Sequence, residues 1–265
     1  MPQFDFHMHT DSSPDGTDSA LTMCEAAIQK GIEHIAITDH LDFPDYETDR
    51  YADRVERAWE EMNLAKKETE GQLTVALGIE IGSPLLMPTL TKQILGIHSY
   101  DFVLASLHQL GREPDFYFVD FNKVDILKTI DDYFDGILDI VEWGQFSSLA
   151  HLTYPFRYIP QALAPADYSR WMDKIDAIMK GLIQKNLSLE INTSGLRKKI
   201  GVTSPDLPLI KHYKELGGEM ITIGSDAHRA TDVGAGIEET IQLAKDVGFK
   251  YAAIYKKQKP TMLTL

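Results

Sequence analysis

The sequence predicts one domain, residues 1–265, built as an α/β barrel of parallel strands. Three observations carry this expectation. β-Branched apolar runs alternate with amphipathic helical stretches along the chain. About seven or eight such units fill 265 residues, a length ordinary for one closed barrel. Metal-type side chains recur at the ends of the predicted strands, always on the same edge, where parallel barrels gather their chemistry.

The elements follow in order. The first strand, 3–9, holds Phe4-Asp5-Phe6-His7-Met8-His9. A helix over 18–30 opens at Asp18-Ser19 and stops at Gly31. The second strand, 32–38, runs into Thr38-Asp39-His40. A long charged helix over 50–70 stops at Gly71, and the third strand, 73–80, ends at Glu80. The fourth strand, 102–108, ends at His108. A helix over 122–139 precedes a short fifth strand, 147–151, ending at His151. A helix over 167–185 leads to the sixth strand, 187–192, which alternates apolar and polar residues up to Asn192. A helix over 206–216 precedes the seventh strand, 220–225, which runs into Asp226-Ala227-His228. A helix over 234–247 and a short apolar run, 251–255, close the pattern.

Composition narrows the function. The net charge of −14 gives no global attraction for nucleic acid, so an anionic substrate must be drawn in by a local positive site. Bound metal ions would supply one. No apolar run is long enough to span a membrane. Cys24, the lone cysteine, excludes an intrachain disulfide and reads as packing, which points to a reducing, cytoplasmic setting.

The His7-x-His9 pair is the first half of a metal site. In an extended strand, residues i and i+2 share a face, so both imidazoles aim into one small volume. His40, His108, His151 and His228 answer them from other strand ends, so six of the nine histidines lie there. Glu80 and Asp226 join them from apolar strands, where a carboxylate is costly unless paired or metal-bound. His34, near the start of the second strand, and His98 and His212 read as surface or satisfied core residues.

As an ordered set, these motifs have a family look. His7-Met8-His9-Thr10, Ile37-Thr38-Asp39-His40, Glu80, Ser106-Leu107-His108, Ala150-His151 and Ser225-Asp226-Ala227-His228 resemble the polymerase-and-histidinol-phosphatase (PHP) superfamily. They look most like its stand-alone histidinol-phosphate phosphatases. The resemblance covers nearly the whole chain. It implies a distorted seven-stranded (β/α) barrel, TIM-barrel-like, with up to three divalent ions drawn from zinc, manganese and iron. It also implies hydrolysis of L-histidinol phosphate in histidine biosynthesis. His7, His9, Glu80 and Asp226 would hold one ion. Glu80 would bridge to a second, held also by His108 and His151. His40, His228 and Asp15 would hold the third, with Asp15 where some members have histidine.

The residues supply a chemical rationale. Divalent ions lower the pKa of bound water and hold phosphoryl oxygens against positive charge. Glu80, Asp226, Asp15 and a hydroxide carry four negative charges, so three divalent ions leave a surplus that matches a phosphate dianion. Asp226 or His228 would assist proton transfer to the departing alkoxide. Arg157 and Arg197, after the fifth and sixth strands, are the expected phosphate clamps, because arginine suits bidentate contacts to phosphate. Lys198, Lys199 and Arg229 are lesser candidates. Asp42, Asp45 and Glu113 are expected partners for the amine and imidazole of histidinol. The alternatives are another small phosphate ester or a phosphodiester on the same barrel, with amidohydrolase chemistry disfavoured by the lack of a strand-end lysine.

Overall fold

The structure is a computed structural model that describes residues 4–43, 45–164 and 167–265. Its centre is a ring of parallel strands: β1 (Phe4–Asp5), β2 (His34–Ile37), β4 (Thr74–Gly82), β5 (Phe102–Ser106), β6 (Ser148–Leu149), β7 (Ser188–Asn192) and β8 (Ile221–Gly224). A short β3 (His40–Asp42) pairs with the upper half of β4 and continues the line of β2. The ring closes between its first and last strands. Phe6 N–H donates to Ile223 O, Asp226 N–H to His7 O, and His9 N–H to Ala227 O, all at 2.8 to 3.0 Å. The predicted seven-stranded barrel is therefore present, and it is nearly closed.

Several strands stop short of their predicted C-terminal ends, while β4 runs past Glu80 to Gly82 and β7 ends at Asn192 as predicted. The ladder stops at Ser106, Leu149 and Gly224, two residues short of His108, His151 and Asp226. His151 (φ 25°) and Asp226 (φ 55°) adopt positive φ, which turns the chain out of the ladder. Such conformations in non-glycine residues cost roughly 1–3 kcal/mol and persist only where surrounding contacts enforce them. The first strand was predicted over 3–9; residue 3 lies outside the described residues. Beyond Asp5 the chain divides its bonds between β8 and the second strand, where Thr38 N–H donates to Met8 O.

The helices pack outside the ring. In α2 (Tyr51–Glu68), Tyr51, Val55, Ala58, Met62 and Ala65 are buried at helical spacing. The helix predicted over 122–139 is α4 (Ile126–Trp143), shifted because Asp125 accepts from Lys128 N–H as its cap and Gly144 (φ 63°) ends it. The first helix is α1 (Ala20–Gln29), capped by Ser19. A ten-residue helix, α3 (Pro88–Ile97), was not predicted; the prolines and glycine around it masked its periodicity. α5 (Met172–Lys185), α6 (Leu207–Glu215) and α7 (Ile237–Val247) complete the layer.

The final run is half of a hairpin, β9 (Tyr251–Lys256) with β10 (Lys259–Thr264). Tyr255 Oη lies 2.7 Å from Ser188 Oγ and donates to Ser147 O at 3.0 Å. Lys257 N–H donates to Asp101 Oδ1. These partners lie where β5, β6 and β7 begin, so the hairpin covers the N-terminal mouth of the barrel. The opposite mouth is left for the clustered histidines.

Candidate metal centre

Six histidines and three carboxylates converge at the C-terminal mouth. Glu80 is at the centre and fully buried. Its Oε2 lies 3.1 Å from His7 Nε2, 3.4 Å from His9 Nε2 and 3.2 Å from His40 Nδ1. Its Oε1 lies 2.9 Å from His151 Nε2 and 3.2 Å from His108 Nε2. The two oxygens thus face two different histidine groups. Asp226 Oδ1 lies 3.8 Å from His7 Nε2, 3.6 Å from His9 Nε2 and 3.6 Å from His228 Nδ1. At the outer edge, Asp15 is 3.1 Å from His228 Nε2 and 3.8 Å from His40 Nε2. All nine residues named from the sequence as metal donors are brought together.

The donor set fits divalent ions. His7 and His9 direct Nε2 at each other across 3.0 Å, and His108 and His151 do so across 3.4 Å. Two neutral imidazole lone pairs repel at that distance unless a proton or a cation lies between them. Three overlapping groups have ligand atoms close enough for one ion: His9, His40, His228; His7, His9, Asp226; and His40, Glu80, His108. Nitrogen and carboxylate donors without thiolate suit zinc, manganese or iron.

The electrostatics are those of a charged cage. Burial alone would raise the Glu80 carboxyl, but His7, His108 and His40 hold it well below the usual range. Asp226 is likewise held down, against burial, by His7, His9 and Arg157. Burial, with His40 and His228 nearby, pushes His9 well below an ordinary imidazole. His7 is raised despite burial, by Glu190, Glu80 and Asp226.

The structure corrects several secondary roles. Asp42, expected to meet the substrate amine, instead lies 2.9 Å from His108 Nδ1 and accepts from Tyr51 Oη. Glu113 is exposed. The acidic residue beside the donors is Asp115, which accepts from Tyr154 Oη at 3.0 Å, and the Tyr154 ring packs on His108 and His151. Asp45 is exposed, and its carboxyl is raised by partial burial and by Asp49, Asp42 and Asp115. Counting three carboxylates also undercounts the charge, since Asp42 and Glu190 touch donor histidines directly. Glu190 was missed because the sixth strand reads as simple alternation. Its signal was a carboxylate in a strand buried on both faces, the same signal that identified Glu80.

Arg157 does reach the site. Its side chain is 3% exposed, and it donates to Asp226 Oδ2 at 3.1 Å and to Asn192 Oδ1 at 2.8 Å. Arg197 Nη2 donates to the carbonyls of Ser225 (2.7 Å) and Asp226 (3.3 Å), holding the backbone where φ is positive. Lys198 lies over the Tyr158 ring at 5.6 Å, and the exposed Arg229 lies 3.5 Å from Asp232. His98 stacks on Trp59, His212 pairs with Asp176, and His34 begins β2, all away from the cluster as predicted.

Comparison with known proteins agrees with this geometry. The family model described as the PHP domain matches residues 5–194. The chain belongs to the PHP domain family. Among PHP-related proteins, a probable histidinol-phosphatase from Thermotoga maritima is 31% identical over 264 residues, covering 97% of this chain and 98% of its own. The histidinol-phosphatase of Lactococcus lactis is 27% identical over 261 residues, covering 98% and 96%. The solved structure of the Lactococcus lactis histidinol phosphate phosphatase, complexed with zinc, L-histidinol and phosphate, superposes with a TM-score of 0.82. That structure is 25% identical, and 98% of each chain is covered. Among the described residues, no helix is long and apolar enough to cross a membrane.

Proposed function

We propose that this protein is a metal-dependent phosphomonoesterase that hydrolyses L-histidinol phosphate to L-histidinol and phosphate in histidine biosynthesis. One observation carries the reading: the buried Glu80 turns one oxygen to His7 and His9 and the other to His108 and His151. That arrangement suits a carboxylate shared between two ions, and Asp15, His40 and His228 offer a third position beside them. We assign three ions per chain, drawn from zinc, manganese and iron. The histidinol-phosphatase names of full-length relatives, and the zinc, histidinol and phosphate of the Lactococcus lactis structure, support the assignment.

When bound, divalent ions supply an activated water and positive charge for the phosphoryl oxygens. The chain's own residues do the rest. Asp226 Oδ2 is occupied by Arg157 and Ser194 Oγ, which leaves Oδ1 facing the histidines. Kept ionised there, Oδ1 suits a divalent ion beside His7 and His9. Asp226 or His228, 3.6 Å apart at this edge of the site, is assigned to assist proton transfer to the departing alkoxide. Arg157 and Arg197 serve phosphate binding, Arg157 by its guanidinium and Arg197 by holding the turn at 225–226. The leaving group is assigned to the wall beyond His108 and His151. There Tyr154 and Tyr158 offer aromatic faces and Asp115 a carboxylate for a cationic amine.

We take the barrel and its hairpin as one catalytic unit, because Tyr255 and Lys257 bond directly to the strand starts. A cytoplasmic setting fits the single buried thiol. A substrate panel tests the activity at matched metal loading. L-histidinol phosphate should exceed p-nitrophenyl phosphate and simple sugar phosphates in kcat/KM by orders of magnitude. Equal rates across unrelated monoesters would mean a general phosphatase, and a preference for a bis-ester would mean a phosphodiesterase.

A further inference from the structure

Two buried carboxylates outside the nine donors touch the far side of donor histidines. Glu190, from β7, is fully buried, with Oε1 2.6 Å from His7 Nδ1. Asp42, from β3, has Oδ1 2.9 Å from His108 Nδ1. The opposite nitrogens of these two rings face Glu80, His7 Nε2 at Oε2 and His108 Nε2 at Oε1. An imidazole that donates from Nδ1 presents its lone pair at Nε2, so each carboxylate sets both the tautomer and the direction of its ring.

Both pairs occupy space left by a glycine. A Cβ on Gly224 would fall 2.3 Å from His7 Cβ and 2.7 Å from Glu190 Oε1. A Cβ on Gly82 would fall 1.7 Å from Asp42 Oδ1 and 3.1 Å from His108 Nδ1. Any larger residue at either position would push the carboxylate off its histidine. Asp42 Oδ2 also lies 3.5 Å from His40 Nδ1, while among the described residues the rings of His9 and His151 lack such a carboxylate. His9 Nδ1 meets the Ser13 hydroxyl at 3.3 Å, and His151 Nδ1 is buried with no partner among the described residues.

We propose that Glu190 and Asp42 are paired positioning residues of the metal centre. Each holds one histidine in its Nδ1–H form and aims Nε2 at a different oxygen of Glu80, so the two serve different metal positions. The competing account is purely structural. Glu190 Oε2 also accepts the His151 N–H at 2.8 Å and so ties β7 to the turn after β6, while Asp42 also accepts from Tyr51.

The proposal rests on the site holding metal, and its test reads metal rather than turnover. Zinc affinity is measured by competition with a chromophoric chelator for the wild type and for Glu190→Ala, Glu190→Gln, Asp42→Ala and Asp42→Asn. Removing either carboxylate should weaken zinc binding by about 10- to 100-fold, the usual loss for an outer partner of a ligating histidine. The amide variants keep an acceptor oxygen and should recover part of that loss. In the zinc-loaded protein, NMR should show two strongly hydrogen-bonded imidazole N–H protons. Glu190→Ala should lose one and Asp42→Ala the other.

Wild-type zinc affinity with both imidazole signals intact in the alanine variants would overturn the proposal, even if their melting temperatures fall. If an alanine variant does not fold, unchanged zinc affinity in its amide counterpart overturns it equally. Zinc binding that weakens as expected in a protein without histidinol phosphate turnover would sink the functional reading and leave this one standing.

Discussion

Replacing Arg157 by alanine separates a phosphate-site role from a surface charge. The guanidinium is 3% exposed and bridges Asp226 Oδ2 (3.1 Å) and Asn192 Oδ1 (2.8 Å), with its carbon 5.2 Å from the centre of the Tyr154 ring. So little exposure leaves little solvent screening. Losing one well-placed charged donor in an active site typically costs about two to three orders of magnitude in rate, or roughly 2.7–4 kcal/mol at 1.36 kcal/mol per tenfold. We expect Arg157→Ala to lower kcat/KM for L-histidinol phosphate by that factor. Arg157→Lys keeps the charge but cannot span both acceptors, and should recover no more than about tenfold. A guanidinium that touched only phosphate would leave metal binding normal. Because Arg157 holds Asp226, the alanine variant should also bind metal more weakly when metal is limiting. Steady-state kinetics and elemental analysis on the same preparations check both effects. A kcat/KM within about threefold of the wild type, with normal metal content, would remove Arg157 from the phosphate site.

Other substitutions probe other parts of the site. His108→Ala should lose metal and activity together, because His108 faces Glu80 Oε1; full metal content in that variant would remove it from the donor set. Asp115→Asn should raise KM for L-histidinol phosphate by about tenfold, the loss of one charge-assisted contact of ~1.4 kcal/mol. The same change should leave p-nitrophenyl phosphate nearly untouched, and an equal effect on both esters would place Asp115 outside the leaving-group wall. Burial, and next Glu25, pushes the Cys24 thiol up to about 12, so it should resist Ellman's reagent at pH 8 until the protein unfolds. The sign follows from the raised folded-state value. The neutral thiol's contribution to stability is whole below about pH 8.5, the ordinary cysteine value. It is lost as pH rises through about 12.

The ring and the convergence of the nine proposed donors at its mouth were legible because both obey short-range rules. Period-2 geometry puts His7 and His9 on one face, and parallel strands put their C-terminal ends on one edge. The partners of the donors were harder to read, because a contact on the far side of a ring depends on register between distant strands. Asp42 and Asp45 are near in sequence, yet Asp42 turns inward to His108 while Asp45 lies on the rim. Glu190 carried the same warning as Glu80 but sat inside its predicted strand, 187–192, whereas Glu80 ends its own, where metal-type residues are expected. Asp115 was hidden in a loop whose placement follows from the Phe116 N–H bond to His108 O. The helix over 88–97 escaped because Pro88 begins it and Gly96 falls in its last turn, which together hide its periodicity.

Strand-end histidines and carboxylates are proposed to hold a metal cluster used to hydrolyse a phosphate monoester. A metal titration tests this assignment most directly. Chelator-stripped protein is reloaded stepwise with zinc or manganese while bound metal and L-histidinol phosphate turnover are measured on the same samples. Turnover should be negligible without metal and should rise to saturate at about three ions per chain. Turnover by the stripped protein, or full activity at one ion per chain, would contradict the assignment.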